Sequence, residues 1–532
     1  MLNFNKKTMR KIYSYILFLS ITFLSSCSLE TESYTQLNMD NFYTKDLAFT
    51  ALTGCYDGLQ VLGGFGFPLV SEIMSDDCFG GAGAADGYGI QAIDEFNKDR
   101  SPSDTDLFND NWKTYYKAIY RCNVFLLKMQ DADWGEDEAL RKTYVSEAKF
   151  IRAYLYFDMV RMWGNIPLVL EPSPDNIPQA NPDDVYTAIA NDLLYATENL
   201  PSTAYNSVDN GRVTVWAAKS LLARVYLYYT GYYGKTDLVG LVTKAQALQH
   251  LEDVITSSGH GLVNDFSTLW PAASVGSYAG EDNKEVVFSI KYTYTSDYNG
   301  NSDGNPWMVM FGMREFSYVP YGFGWGVTVN SKLWNAYSAN DTRRVATMIG
   351  VEEEGIPFDK LNSQREYTGY YNKKYSPMSE LDGNGNVVSV VDGFGGTNFQ
   401  IGQFQDYTVM RYADVLLMAA ELGSANAQTY FDQVRQRAYK ANFVSMPVNQ
   451  ANIMKERHLE FALEGIRYWD LLRQGVSVAA AEIAETRTIL SGGVSETKTI
   501  TAAKIEAAKG LSQIPNSQIT LTGGVLKQNA GW

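Results

Sequence analysis

The stretch from Asp137 to Trp163 constrains the fold of this chain more than any other. Ala148, Ile151, Leu155, Met159 and Met162 recur at steps of three and four, which on a helix draws one apolar stripe. Phe150, Tyr154 and Phe157 cover a second face. A helix apolar on two faces has to be packed on both, so this segment is expected to lie sandwiched between neighbours. Gly164, Pro167, Pro172 and Pro174 then stop it.

Seven further segments read as helices: Phe42 to Val61, Asp110 to Met129, Pro182 to Asn199, Thr214 to Tyr228, Val242 to Thr256, Tyr412 to Arg437 and Ile453 to Arg473. Eight helices make four pairs. In the Thr214 segment, Trp216, Ala217, Ala218, Leu221, Leu222, Ala223, Val225 and Tyr226 mix small and aromatic side chains, which lets paired helices approach closely. No strict 34-residue period is visible. With 532 residues, 45% of them hydrophobic and 20% charged, the chain can bury a large core.

The N-terminus carries targeting chemistry. Lys6, Lys7, Arg10 and Lys11 precede an apolar run from Ile12 to Leu24, and Leu24, Ser25, Ser26 and Cys27 complete a lipobox. The run is shorter than the roughly 20 apolar residues of a membrane-spanning helix. A lipoprotein signal peptide over residues 1–26 is expected, with Cys27 acylated and its chains anchoring the protein. The net charge is −16, and −20 without those first 26 residues, which disfavours nucleic acid or a polyanion as the default partner. Cys55, Cys78 and Cys122 remain, with no metal-like or redox spacing. Buried free thiols are expected.

Near the other end, Arg457, Glu460, Glu464, Arg467, Asp470 and Arg473 recur at helical steps and mostly alternate in sign, while Leu459, Leu463 and Ile466 form a separate apolar stripe. From spacing alone this is a well-paired amphipathic helix. The run from Lys455 to Asp470 also resembles the closing signature of the SusD/RagB family, surface lipoproteins that sit on TonB-dependent outer-membrane transporters. The resemblance extends to three more blocks. Glu147, Ala148, Lys149, Phe150, Ile151, Arg152, Ala153, Tyr154 and Tyr156, with Trp163 to Leu168, are similar to the family's central motif. Trp112, Tyr116, Lys117, Ala118, Ile119 and Asn123 precede it, and Arg411 to Glu421 with Val434, Arg435, Arg437 and Ala438 follow. Glu30 and Glu32 resemble the acidic export signal of such lipoproteins.

The resemblance implies a predominantly α SusD-like fold, with four tetratricopeptide-type helix pairs and an irregular, loop-rich mixed lobe bearing the ligand platform. The expected divisions are a helical region over 27–260, a ligand-binding lobe over 261–410, a scaffold helix pair over 411–475 and an irregular segment over 476–532. The implied partners are an oligosaccharide, a SusC-like TonB-dependent transporter, and the outer membrane through the lipid at Cys27. A peptide-capturing receptor of the RagB type, a surface hydrolase and a structural adaptor are the alternatives.

The four blocks are scaffold, so ligand chemistry is sought elsewhere. Between Val286 and Tyr337 the aromatic content is about twice the 13% of the whole chain, and six glycines are interspersed. Aromatic faces accept the C–H face of a sugar while Tyr hydroxyls and Trp N–H groups bond its hydroxyls. Trp307, Tyr321 and Trp325 are the leading candidates, with Tyr318 next. A second glycine-rich stretch, Gly63 to Ile90, offers Asp76, Asp77 and Tyr88, since carboxylates accept pairs of hydroxyl hydrogens. The plainer readings are core packing for the aromatics and an Asx-capped loop for the acids.

Nothing points to catalysis or to a cofactor. His250, His260 and His458 form no metal motif, and neither a Gly-x-Ser-x-Gly elbow nor a phosphate loop is present. Asp382 to Asn386 lacks the acids a calcium loop needs further on, and reads as an Asn-Gly turn.

Overall fold

A computed structural model describes residues 43–60, 66–103 and 106–532. The signal segment and Cys27 lie outside the described residues. Helices dominate: α1 (Ala48–Gln60), α2 (Phe67–Ile73), α3 (Asn109–Asp131), α4 (Glu138–Trp163), α5 (Pro182–Asn199), α6 (Val215–Tyr233), α7 (Lys244–Ser257), α8 (Tyr412–Glu421), α9 (Ala427–Tyr439), α10 (Gln450–Phe461) and α11 (Arg467–Leu472). The fold is predominantly α, as expected, and the strands among the described residues pair in two-stranded ladders.

Local chemistry sets the helix ends. Pro182 occupies the first turn of α5 and the Asn181 side chain accepts from the Asp183 N–H. Thr214 caps α6 through the Ala217 N–H, and Gly234 ends it in the left-handed region. Thr243 and Gln246 form a reciprocal capping box on α7.

The helices pack as a stack in chain order, α3 on α4, α4 on α5, α5 on α6, α6 on α7 and α7 on α8, with α1 covering α3. Every side chain of α4 from Phe150 to Trp163 is buried, so the two-faced segment is indeed sandwiched. The main core runs from Ala48 to Leu526 and draws in Phe288, Trp307 and Tyr407 from the irregular middle of the chain. Cys55, Cys78 and Cys122 are buried and free.

Two expected helices are broken. Tyr412 to Arg437 divides at Gly423, whose φ of +83° ends α8 before α9 begins. Ile453 to Arg473 divides into α10 and α11 because Leu463 and Gly465 take φ of +66° and +77°. The reason is close packing: a Cβ on Gly465 would lie 2.8 Å from Pro68 Cα, and the Gly465 N–H donates to Glu72 Oε1 at 2.6 Å. Helix α2 therefore occupies the space that a continuous helix would need.

The charged stripe also differs from the expected pairing along one helix. All six residues are buried. Only Arg457, Asp470 and Arg473 pair with one another, at 2.7 Å on each side of Asp470. Glu460 accepts from Arg411, Arg343 and Arg437, and Glu464 from Arg411 and Lys374, at 2.8 and 2.6 Å for the last two. The stripe is an internal ionic hub that ties α10 and α11 to the middle of the chain.

Candidate functional site

The two glycine-rich segments that sequence reading singled out separately meet in space. Cys78–Phe79 pairs antiparallel with Thr328–Val329. Beyond that ladder the Ala82 N–H donates to the Gly326 carbonyl at 3.1 Å, and the Arg365 N–H to the Ala82 carbonyl at 2.9 Å. Gly81 has to be glycine, since its φ is +59° and a Cβ there would sit 1.9 Å from the Gly326 oxygen. Three loops, around 80–88, 312–327 and 363–366, are thereby locked into one rim.

Trp325 stands half-buried on this rim. Its ring lies edge-on to Phe323 at 5.7 Å between centroids, and Phe323 meets Phe399 at 5.2 Å in the same manner. Arg314 places its guanidinium 5.3 Å from the Trp325 ring. That guanidinium fits because residue 83 is glycine: a Cβ there would approach Arg314 Nη2 to 2.3 Å. Tyr318, 39% exposed, lies on the same loop and exchanges backbone hydrogen bonds with Tyr321.

Several other expected ligand residues are committed elsewhere. Trp307 is only 2% exposed and packs against Tyr375 and Tyr407 at 5.3 and 5.5 Å, so neither ring face is open. Tyr321 is buried, and its hydroxyl donates to Glu354 at 2.5 Å. Both carboxylate oxygens of Asp76 accept from Arg467. Asp77 is fully buried and bonds His458 Nε2 at 2.6 Å. Asp76, Asp77 and His458 bring metal-ligating atoms within 4.8 Å of one another, yet Arg467 already occupies the Asp76 carboxylate. Tyr88 is 41% exposed, but guanidiniums of Arg365 and Arg100 lie 4.0 and 4.3 Å from its centroid and take up its faces. The segment Asp382 to Asn386 is a hairpin turn, closed by the Asp382 side chain accepting from the Asn384 and Asn386 N–H groups.

Sequence reading missed Phe323 and Phe399 as rim residues, and Phe394, which is 56% exposed and packs on Tyr294 and Phe404. A signal was present: Phe394, Phe399 and Phe404 recur every five residues among Gly393, Gly395, Gly396 and Gly402. A groove along α1 is lined by Phe49, Tyr56 and Asp57 together with Ile290, Lys291 and Asp303.

The rim sits on a fold found in known proteins. Residues 323–532 match the model of the SusD family, and residues 85–227 match a SusD-like model described as starch-binding, associating with outer membrane. The chain belongs to the SusD-like family. A SusD-like protein of Formosa agariphila is 25% identical over 412 residues, 71% of this chain and 72% of that one. Among solved structures, surface glycan-binding protein A from Bacteroides fluxus aligns with a TM-score of 0.75 at 25% identity, covering 92% of this chain and 100% of that chain. A laminarin binding SusD-like protein aligns with a TM-score of 0.71 at 28% identity, over 92% and 100% of the two chains. Among the described residues, no helix is long and apolar enough to cross a membrane.

Proposed function

We propose that this chain is a non-catalytic receptor of the cell surface, anchored to the outer membrane by lipid at Cys27, that captures oligosaccharides and passes them to a SusC-like TonB-dependent transporter. The observation that carries the reading is the rim of Trp325, Phe323 and Phe399, presented by interlocked loops on a fold shared with a surface glycan-binding protein and a laminarin-binding one. Trp325 offers the stacking face and Tyr318 a second aromatic contact. Trp307, Tyr321, Asp76 and Asp77 hold the loops that carry them. The helical stack, with its buried ionic hub, supplies the rigid body that would rest against the transporter.

The test is calorimetric titration of the purified protein against plant, microbial and host oligosaccharides, with mixed peptides as a control. Heat from one sugar class, lost in Trp325→Ala, supports the reading. Heat from peptides alone moves the assignment to a peptide receptor, and release of shortened products from a polysaccharide moves it to a hydrolase. Recovery of a large β-barrel in stoichiometric amount from gently solubilised outer membranes tests the transporter partnership; recovery of this chain alone counts against it.

A further inference from the structure

In a chain that carries sixteen more negative than positive charges, three arginines gather at the ligand rim, and their compensation is incomplete. Arg314, beneath Trp325, is buried, and its Nε has no hydrogen-bond partner. Its Nη1 stands 3.4 Å from Asp86 Oδ2, longer than the 2.7–2.9 Å usual for a charge-assisted bond. Glu315, its closer partner at 2.9 Å, is an exposed side chain on a backbone with φ of +48°, a conformation that costs energy for a non-glycine residue. On the other side of the 83–88 turn, Arg365 donates to the carbonyls of Ala84, Asp86 and Gly87 and to Gln91, all neutral acceptors. No carboxylate lies within 4.0 Å of Arg365 among the described residues. Arg100, across Tyr88, has an unpartnered Nε and meets Glu95 only at 3.6 Å.

A buried guanidinium with an unmet donor is costly unless something supplies the missing acceptor. Here that guanidinium lies 5.3 Å from the half-buried Trp325 ring. We infer that the sugar taken by this rim is anionic, one residue stacking on Trp325 while its carboxylate or sulfate is held by Arg314, with Arg365 and Arg100 adding positive potential. Glu315 and Asp86 hold the Arg314 fork in the free protein and give way to the ligand's acidic group. The inference rests on the glycan-binding reading and names the substrate class for that same site.

The test compares three probes on the full chain by calorimetry: an oligogalacturonate for the carboxylate source, a sulfated oligosaccharide for the sulfate source, and laminarihexaose as the neutral reference. An anionic probe is expected to bind at least about tenfold more tightly than the neutral one, and to weaken as salt rises from about 50 to about 500 mM. Arg314→Gln should weaken it by about tenfold or more. Glu315→Gln, a change at an exposed side chain, should strengthen anionic binding several-fold relative to neutral binding. Whichever anionic probe shows this pattern identifies the acidic group. Neutral and anionic probes binding alike, both lost in Trp325→Ala and unmoved by Glu315→Gln, would overturn the anionic inference and leave glycan capture standing. Silence from all three probes overturns both.

Discussion

Both oxygens of Asp76 are held by one guanidinium, Arg467 Nε at 2.8 Å and Nη2 at 2.9 Å, although the two residues are 391 positions apart. This pair fastens the segment that follows α2 to the start of α11, and it is buried on both sides. Arg467→Ala leaves a buried carboxylate without its cation and is expected to destabilise the protein by about 3–5 kcal/mol. Urea unfolding measures this, and a loss under about 1 kcal/mol would show that water replaces the guanidinium.

Acid should unfold the chain through the same hub. Burial opposes ionisation of Glu460, yet Arg437, Arg411 and Arg343 together hold its carboxyl well below the usual range. Asp76 and Asp470 are likewise lowered against the effect of burial, by Arg467 and by Arg457 with Arg473. Carboxyls depressed in the folded state contribute stability that is present above their unfolded pKa of about 4 and is lost as pH falls through the lower folded values. The denaturant midpoint should therefore drop steadily from pH 5 to pH 3, and a flat profile there would contradict this account.

Glu281 has the opposite sign. Burial first, and then the charge of Asp406, push its carboxyl up to about 7. The folded state thus binds this proton more tightly than the unfolded chain, so its contribution falls as pH rises from about 4.3 to about 7 and levels off above. Melting curves from pH 5 to pH 8 should show a smaller decline in Glu281→Gln than in the unaltered protein. Identical declines would mean that Glu281 does not titrate in this window.

The two tryptophans of the middle region should separate stability from binding. Trp307→Ala empties a buried site and is expected to cost about 3–5 kcal/mol. Trp325→Ala, on the rim, should cost under about 1 kcal/mol while weakening sugar binding about tenfold or more. Thermal melts beside calorimetry on both variants check this, and equal effects on stability would sink the distinction.

Periodicity was enough to identify the scaffold, because a buried helix face must repeat at 3.6 residues whatever surrounds it. The two-faced segment before Trp163 and the capped helices that begin at Pro182, Val215 and Lys244 were all legible on those grounds. So were the aromatic and glycine enrichment that marks the rim and the turn at Asp382. Tertiary structure decided the rest. The break at Leu463 and Gly465 follows from the proximity of Pro68, a contact between segments nearly 400 residues apart that leaves no local trace. The same holds for the fates of Trp307 and Trp325, neighbours in one aromatic stretch, of which one is enclosed by Tyr375 and Tyr407 and the other is half-buried beside Arg314. Composition sets how much aromatic surface a region carries, but which rings are buried depends on the long-range partners that close over them.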